Sequence, residues 1–354
     1  MTDAQRPQTQ GPQMQGPKTQ GTGSQEREMP DTLLTVTHLR RHFGGRHALL
    51  RRERTIRAVE DVSLTLRVGE TLGLVGESGC GKSTTGRMIV GLETPSGGTI
   101  TFKGRDLTRL TPKDWQRQRR DVQMIFQNPQ SALDPRLTIA RQIREPLDLH
   151  DIGARAGRDE EVARLMQAVA LPVELADRYP HQISGGQAQR VVIARALAMR
   201  PSLIVCDEPV SALDVSVQAT VTDLLQDLQE RLDIAYLFIS HDLRVVKKLS
   251  HRVAVMYLGQ IVEEGLTDPL YRQPLHPYTM ALLAAIPDLS VAKGEPRARL
   301  VGDPPSPANP PSGCHFHTRC PYAQPRCSAE KPELRAVDDR RVRCHFAEDF
   351  RTAS

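Results

Sequence analysis

The chain contains no run of about 18 apolar residues, so no segment is expected to span a bilayer by itself. Residues 1–30 hold no apolar stretch able to act as a signal-peptide core, so the protein is expected to stay in the cytosol. No heptad repeat is sustained, which excludes a long coiled-coil arm. Neither sign of charge dominates. With 47 Lys and Arg against 42 Asp and Glu, the net +5 is too small to argue for nucleic acid or an anionic membrane. Cysteine is sparse, at six in 354 residues, and no two are separated by the two to four residues usual in structural zinc sites. Yet four of the six fall in the last 41 residues. In a reducing compartment such a cluster argues for metal or redox chemistry over disulfides.

What is present is enough for a large core: 39% hydrophobic and 25% charged residues. The Gln-, Pro-, Gly- and Thr-rich stretch 1–30 reads as a disordered tail. From 31 to 265 strand and helix patterns alternate. Leu33–Phe43 alternates apolar and polar residues like a strand, and 44–57 is a basic insertion. Two strands flank the turn Val68-Gly69-Glu70, and Lys82–Gly91 reads as a helix. Residues 136–200 are mostly helical in pattern. "LIVCDEP" (Leu203–Pro209) reads as a buried parallel strand. Val217–Leu232 reads as a helix, Ala235–Ile239 as a strand, and "RVAVMYLGQIVEEG" as a hairpin. This order predicts an α/β fold with a largely parallel core. Proline becomes dense beyond 265, which marks 266–354 as a second, smaller unit.

"GESGCGKST" (Gly76–Thr84) lies between a strand and a helix, the setting a phosphate loop requires. Its Gly76, Gly79 and Gly81 let backbone N–H groups curl toward one anionic centre, and the helix N-terminus adds a positive dipole. Lys82 should reach the β- and γ-phosphates of a nucleotide, and Ser83 should ligate Mg²⁺. Asp207 ends a buried strand where a carboxylate can hold Mg²⁺. Glu208, one residue on, is placed to take a proton from an attacking water. His241, just past the strand 235–239, can point into the same crevice.

"ISGGQAQRVVIARAL" (Ile183–Leu197) adds a second serine and glycine pair at a helix start. With "FQNP" (Phe126–Pro129), "SALD" (Ser211–Asp214) and His241, residues 33–265 resemble the ATP-binding-cassette ATPases. The resemblance implies a P-loop NTPase nucleotide-binding domain, with a RecA-like core, a helical subdomain and an antiparallel β subdomain. By the same resemblance, nucleotide contacts fall to Phe43, Gly76, Glu77, Ser78, Gly79, Cys80, Gly81, Lys82, Ser83 and Thr84. Gln127 is similar to a glutamine that touches Mg²⁺ and relays nucleotide state to a membrane partner. Ser184, Gly185, Gly186 and Gln187 resemble a signature that completes the ATP site of an opposite subunit. Asp214 resembles an interface aspartate. Two departures, Ile183 and Ala188, remove no phosphate-contacting group.

"MIFQNPQSALDPR", "HPYT" (His276–Thr279) and the terminal cysteines narrow the resemblance to ATPase subunits of bacterial dipeptide and oligopeptide importers. Implied partners are two transmembrane permease subunits, a sister ATPase and an extracytoplasmic solute-binding protein, with no nucleic acid. The implied place is the cytoplasmic face of the inner membrane. Nickel or another small solute is the alternative cargo, and a soluble ATPase acting on ribosomes or DNA is the alternative class.

The resemblance also implies a small cysteine-containing C-terminal domain. Cys314, Cys320, Cys327 and Cys344 are separated by five, six and sixteen intervening residues. Such spacings suit a cuboidal [4Fe–4S] cluster, with Zn²⁺ held partly by His315, His317 or His345 as the rival. Arg319, Arg326 and Arg343 would complement the cluster's charge, and metal binding would supply folding energy to a segment poor in apolar residues.

Overall fold

Apolar alternation drives the first strands. In β1 (Thr32–Phe43), Leu34 and Val36 are buried, and a register shift around His38 returns Leu39 to the same face. It pairs antiparallel with β2 (Ile56–Arg67), which buries Val59, Val62, Leu64 and Leu66. The computed structural model describes residues 32–44, 55–286 and 302–351. The disordered tail expected at 1–30 and most of the basic insertion 44–57 lie outside the described residues.

β3 (Thr71–Val75) is buried along its whole length. β4 (Gly97–Phe102) and β5 (Arg105–Asp106) return to the antiparallel layer, with β4 beside β1. β6 (Val122–Ile125), β7 (Leu203–Asp207), β8 (Ala235–Ile239) and β9 (Arg252–Tyr257) rebuild the core with β3. Their order is β9-β3-β8-β7-β6, all parallel. Strands β3, β7, β8 and β9 are apolar runs buried on both faces, as a sheet covered by helices demands. Because these strands run one way, the residues that follow β3, β6, β7 and β8 emerge on one edge of the sheet. That carboxyl edge is where open α/β sheets bind ligands.

The long crossover from β6 to β7 holds the helices Ile139–Leu149, Arg158–Ala168 and Gly185–Leu197. They share a core that includes Ile143, Met166 and Val191. Among the described residues no helix is long and apolar enough to cross a membrane.

β10 (Gln260–Leu266) is antiparallel to β9 and touches β2 through Gln260 and Asp61. β11 (Arg335–Val337) and β12 (Arg340–Val342) form a small ribbon, and β12 pairs antiparallel with β10. The described residues from Thr32 onward group as one compact unit. The C-terminal residues are held by three kinds of contact. Phe316 is 2% exposed and packs edge-on against Tyr257 and Tyr278, at 5.3 and 5.4 Å between ring centres. Glu264 accepts from both Arg252 and Arg341, and Arg343 reaches Asp61 at 2.9 Å. Burying an aromatic such as Phe316 is worth about 3–5 kcal/mol against its removal.

Candidate functional site

The phosphate loop grows directly out of β3. Its last glycine, Gly81, sits at φ 108° and caps the helix Lys82–Ile89. A Cβ there would lie 2.2 Å from the carbonyl oxygen of Ala58, so both the dihedral and the space require glycine. Lys82 is 4% exposed. Its Nζ donates to the carbonyls of Gly76 at 2.8 Å and Glu77 at 3.0 Å. Among the described residues no carboxylate pairs with this buried ammonium. A buried cation with only neutral partners fits an anionic ligand, and a polyphosphate is the anion such a loop cradles. Ser78 and Gly79 are exposed at the loop's crest, while Cys80 is buried beneath it. Burial pushes the Cys80 thiol up, against the pull of Lys82, so it stays protonated. Thr84 follows in the helix's first turn.

Ser83 donates its hydroxyl to Asp207 Oδ1 at 2.7 Å, which joins the helix to the end of β7. Burial raises the Asp207 carboxyl above its ordinary range, and the charge of Glu208 adds to this, while Ser83, Arg87 and Lys82 oppose it. A hydroxyl and a strained-to-ionise carboxylate side by side are hard oxygen donors suited to Mg²⁺.

Glu208 has φ +50°, a left-handed conformation costly for a residue with a side chain. Its N–H donates to Ile239 O at 2.9 Å, which fixes the turn against β8. Gln127 Nε2 donates to Glu208 Oε2 at 2.8 Å. His241 Nδ1 stands 3.2 Å from the same oxygen. The ends of β6, β7 and β8 therefore deliver Gln127, Glu208 and His241 to one carboxylate, next to the Ser83–Asp207 pair.

Ser184 is the N-cap of the helix Gly185–Leu197. Gln187 N–H donates to Ser184 Oγ at 3.3 Å, and Ser184 N–H to Gln187 Oε1 at 2.9 Å, a reciprocal capping box. Gly186 lets this helix approach Val217, whose methyl would be 2.5 Å from a Cβ. Among the described residues no hydrogen bond or ion pair joins Ser184–Gln187 to Gly76–Thr84. Asp214 caps Val215–Leu232 by position only, with no side-chain bond, and Val215 beside it is 78% exposed. Phe43 ends β1 opposite Ile56, two residues before Ala58, and the Arg41 guanidinium covers one ring face at 4.4 Å.

The cysteine expectation is corrected. Cys314, Cys320, Cys327 and Cys344 border one cavity with His317 and His345, but its volume is about 20 Å³, room for a single water. Among the described residues no group of three or more His, Cys, Asp or Glu is arranged to hold a metal ion, so neither a [4Fe–4S] cluster nor zinc is supported. All four are free thiols. Burial pushes Cys314 up to about 11 and Cys344 up to about 12, so both are protonated at neutral pH. Each arginine assigned to a cluster's charge has a carboxylate instead: Arg319 pairs with Glu77, Arg326 with Glu330 and Arg343 with Asp61. Packing of Phe316 and strand pairing of β12 supply the cohesion that the sequence left to metal. Glu77's partners, Arg319 and Tyr278, escaped the sequence reading because each lies some 200 residues or more away with no shared pattern.

This arrangement defines a nucleotide-hydrolysing cassette, and known proteins agree. A family model described as ABC transporter matches residues 59–211, and one described as oligopeptide/dipeptide transporter, C-terminal region, matches residues 262–327. The di/tripeptide transport ATP-binding protein DppF of Pseudomonas aeruginosa is 48% identical over 90% of this chain and 99% of its own length. The oligopeptide transport ATP-binding protein OppF of Escherichia coli is 49% identical over 88% of this chain and 95% of its own. Among solved structures, the dimeric ATP-binding cassette MJ0796 bound to ADP and Pi superposes with a TM-score of 0.60 at 28% identity, covering 66% of this chain and 99% of that one. The chain belongs to the ATP-binding-cassette transporter ATPases. Within that family it falls in the branch that carries the oligopeptide/dipeptide C-terminal region.

Proposed function

We propose that this chain is the ATP-hydrolysing subunit of an importer for di- and oligopeptides, bound peripherally at the cytoplasmic face of the inner membrane. The observation that carries hydrolysis is the convergence of Gln127 and His241 on Glu208 beside the Ser83–Asp207 pair. Lys82 and the loop N–H groups hold the β- and γ-phosphates. Ser83 and Asp207, with Gln127 nearby, would hold Mg²⁺, which would supply neutralisation of charge on the transferred phosphoryl group. Glu208 takes a proton as water attacks phosphorus and the bond to ADP breaks. Gln127 and His241 hold its carboxylate in the orientation that accepts this proton. Phe43 supplies an aromatic face for adenine.

Peptide as cargo rests on the relatives' names and on the C-terminal family match. Partners follow from what the chain leaves open. Ser184–Gln187 form a helix N-terminus without a lysine, suited to close a phosphate site on a second, sister ATPase, with Asp214 at that seam. A groove of about 410 Å³ is lined by Leu92, Phe126, Leu149 and Met199. Phe126 adjoins Gln127, so a permease segment seated there would sense the nucleotide site. Two permeases and an extracytoplasmic solute-binding protein complete the assembly, and nucleic acid has no part in it. The residues 266–354 serve as a C-terminal unit set on the cassette 31–265.

The test is reconstitution with the cognate permeases, sister ATPase and binding protein in vesicles. ATP-driven peptide uptake is expected, and Glu208→Gln should retain ATP binding while lowering turnover about 10²–10⁴-fold. Uptake of nickel without peptide would overturn the cargo, and turnover of the variant within a factor of about two would overturn the role of Glu208.

A further inference from the structure

Glu77 is the one carboxylate of the phosphate loop, and a negative charge is out of place where a polyphosphate binds. Its side chain is held by a residue 242 positions away: Arg319 Nη1 donates to Oε2 at 2.7 Å and Nη2 to Oε1 at 3.0 Å. The pair is bidentate, with the arginine side chain 5% and the glutamate 24% exposed. Tyr257 stands beneath the guanidinium, its hydroxyl 3.5 Å from Nη1 and its ring centre 5.9 Å from Cζ. The backbone of Glu77 is pinned as well. Its N–H donates to Tyr278 Oη at 2.8 Å, and its carbonyl accepts from Lys82 Nζ at 3.0 Å. Tyr257, Tyr278 and Phe316 pack on one another, with Tyr257 and Tyr278 ring centres 4.6 Å apart. Arg319 follows Phe316 by three residues, so the packing that anchors the C-terminal segment also aims the guanidinium.

We propose that Arg319 is a positioning residue of the nucleotide site: by pairing with Glu77 it neutralises the loop's carboxylate, turns it away from the phosphates, and ties the C-terminal segment to nucleotide affinity. The inference rests on Gly76–Thr84 binding nucleotide. Without the arginine, Glu77 is free to repel ATP and to compete for Lys82. The consequence is specific in sign. Loss of Arg319 weakens ATP binding, and removal of the carboxylate as well restores it. A residue that merely supported the fold would show no such recovery. Linkage requires the reverse effect too, so ATP should steady the segment around Phe316 and Arg319.

The experiment titrates the purified full chain with mant-ATP and measures KM and kcat in the assembled transporter. Arg319→Ala should raise both the dissociation constant and KM about ten-fold, with kcat within about three-fold. Arg319→Ala/Glu77→Gln should return both to within about three-fold of the parent, and Arg319→Lys should fall between. Backbone hydrogen exchange over residues 313–328 should slow on ATP addition in the parent and not in Arg319→Ala. If Arg319→Ala does not fold, Arg319→Lys carries the test, with about three-fold weakening relieved by Glu77→Gln. Unchanged affinity in a folded Arg319 variant overturns the proposal, as does a double variant no better than Arg319→Ala. A parent chain that does not bind mant-ATP overturns the nucleotide site itself, and this inference with it.

Discussion

At the start of the helix Lys82–Ile89 polar groups reach across the whole fold: Ser83 to Asp207 and Glu77 to Arg319. At the start of Gly185–Leu197 they reach no further than three residues, Ser184 and Gln187 satisfying each other. Both ends offer N–H groups and a positive dipole to an anion. Only the first is surrounded by groups that can do something to the anion once it arrives. The contrast teaches that one end is tied into the fold around it and the other is satisfied locally, as expected of the lid proposed above for a second subunit.

The contrast is broken or sharpened most strongly by exchanging charge at the two ends. Lys82→Ala should weaken mant-ATP binding to the isolated chain about 100-fold or more, since it removes the buried cation proposed to hold the phosphates. Ser184→Arg should leave that affinity within about two-fold while lowering turnover of the assembled transporter about 10²–10³-fold. A loss of affinity in isolated Ser184→Arg would mean that both ends serve one site within one chain.

A smaller effect separates the two ends by backbone. Gly81→Ala forces a Cβ into the Ala58 carbonyl at φ 108°, and should cost about 2–4 kcal/mol in urea unfolding. Gly185→Ala meets only a Leu213 methyl at 3.5 Å and should change stability by less than about 0.5 kcal/mol. Equal costs would erase the distinction between a strained end and a relaxed one.

The smallest effect is a gain. The Asp207 carboxyl is raised, so between the unfolded value and the folded one the native state holds the extra proton, and stability is lost as pH rises through that window. Asp207→Asn removes this loss. The variant should be more stable than the parent at pH 7, with the gain fading as the pH falls toward the ordinary carboxyl range, and should lose Mg²⁺-dependent turnover. Thermal unfolding across that range checks the sign. A destabilised variant would place the charge of Asp207 among the favourable interactions.

The cassette was legible because its site residues are tied to regular elements. Gly76–Thr84 had to join a strand to a helix, and Asp207 had to end a buried strand, so backbone geometry carried their side chains to one edge. Strand and helix limits followed the apolar alternation closely, as in Leu33–Phe43 against β1 and Ala235–Ile239 against β8. The cysteines were a different kind of signal. Their spacing runs through turns and a five-residue helix, Pro325–Ala329, where separation in sequence says little about direction in space. The reading of Arg319 failed for the same reason: its neighbours in sequence are cysteines, but its partner in space is Glu77. Pairings across two hundred residues leave no periodicity to read.

The pairing of β12 with β10 sets a clock on biosynthesis. β10 leaves the ribosome with Glu263 and Glu264 destined for burial, and the arginines that meet them on β12, Arg340 and Arg341, are 77 positions later by number. At about 5–20 residues per second the growing chain waits roughly 4–15 s for them. During that interval Glu263 lacks Arg340, Glu264 has only Arg252 of β9, and the edge of β10 that β12 will cover stands open. Nascent chains should therefore engage holdases at this stage, and ribosome stalling within residues 267–340 should be more damaging than stalling in the helices that precede β7.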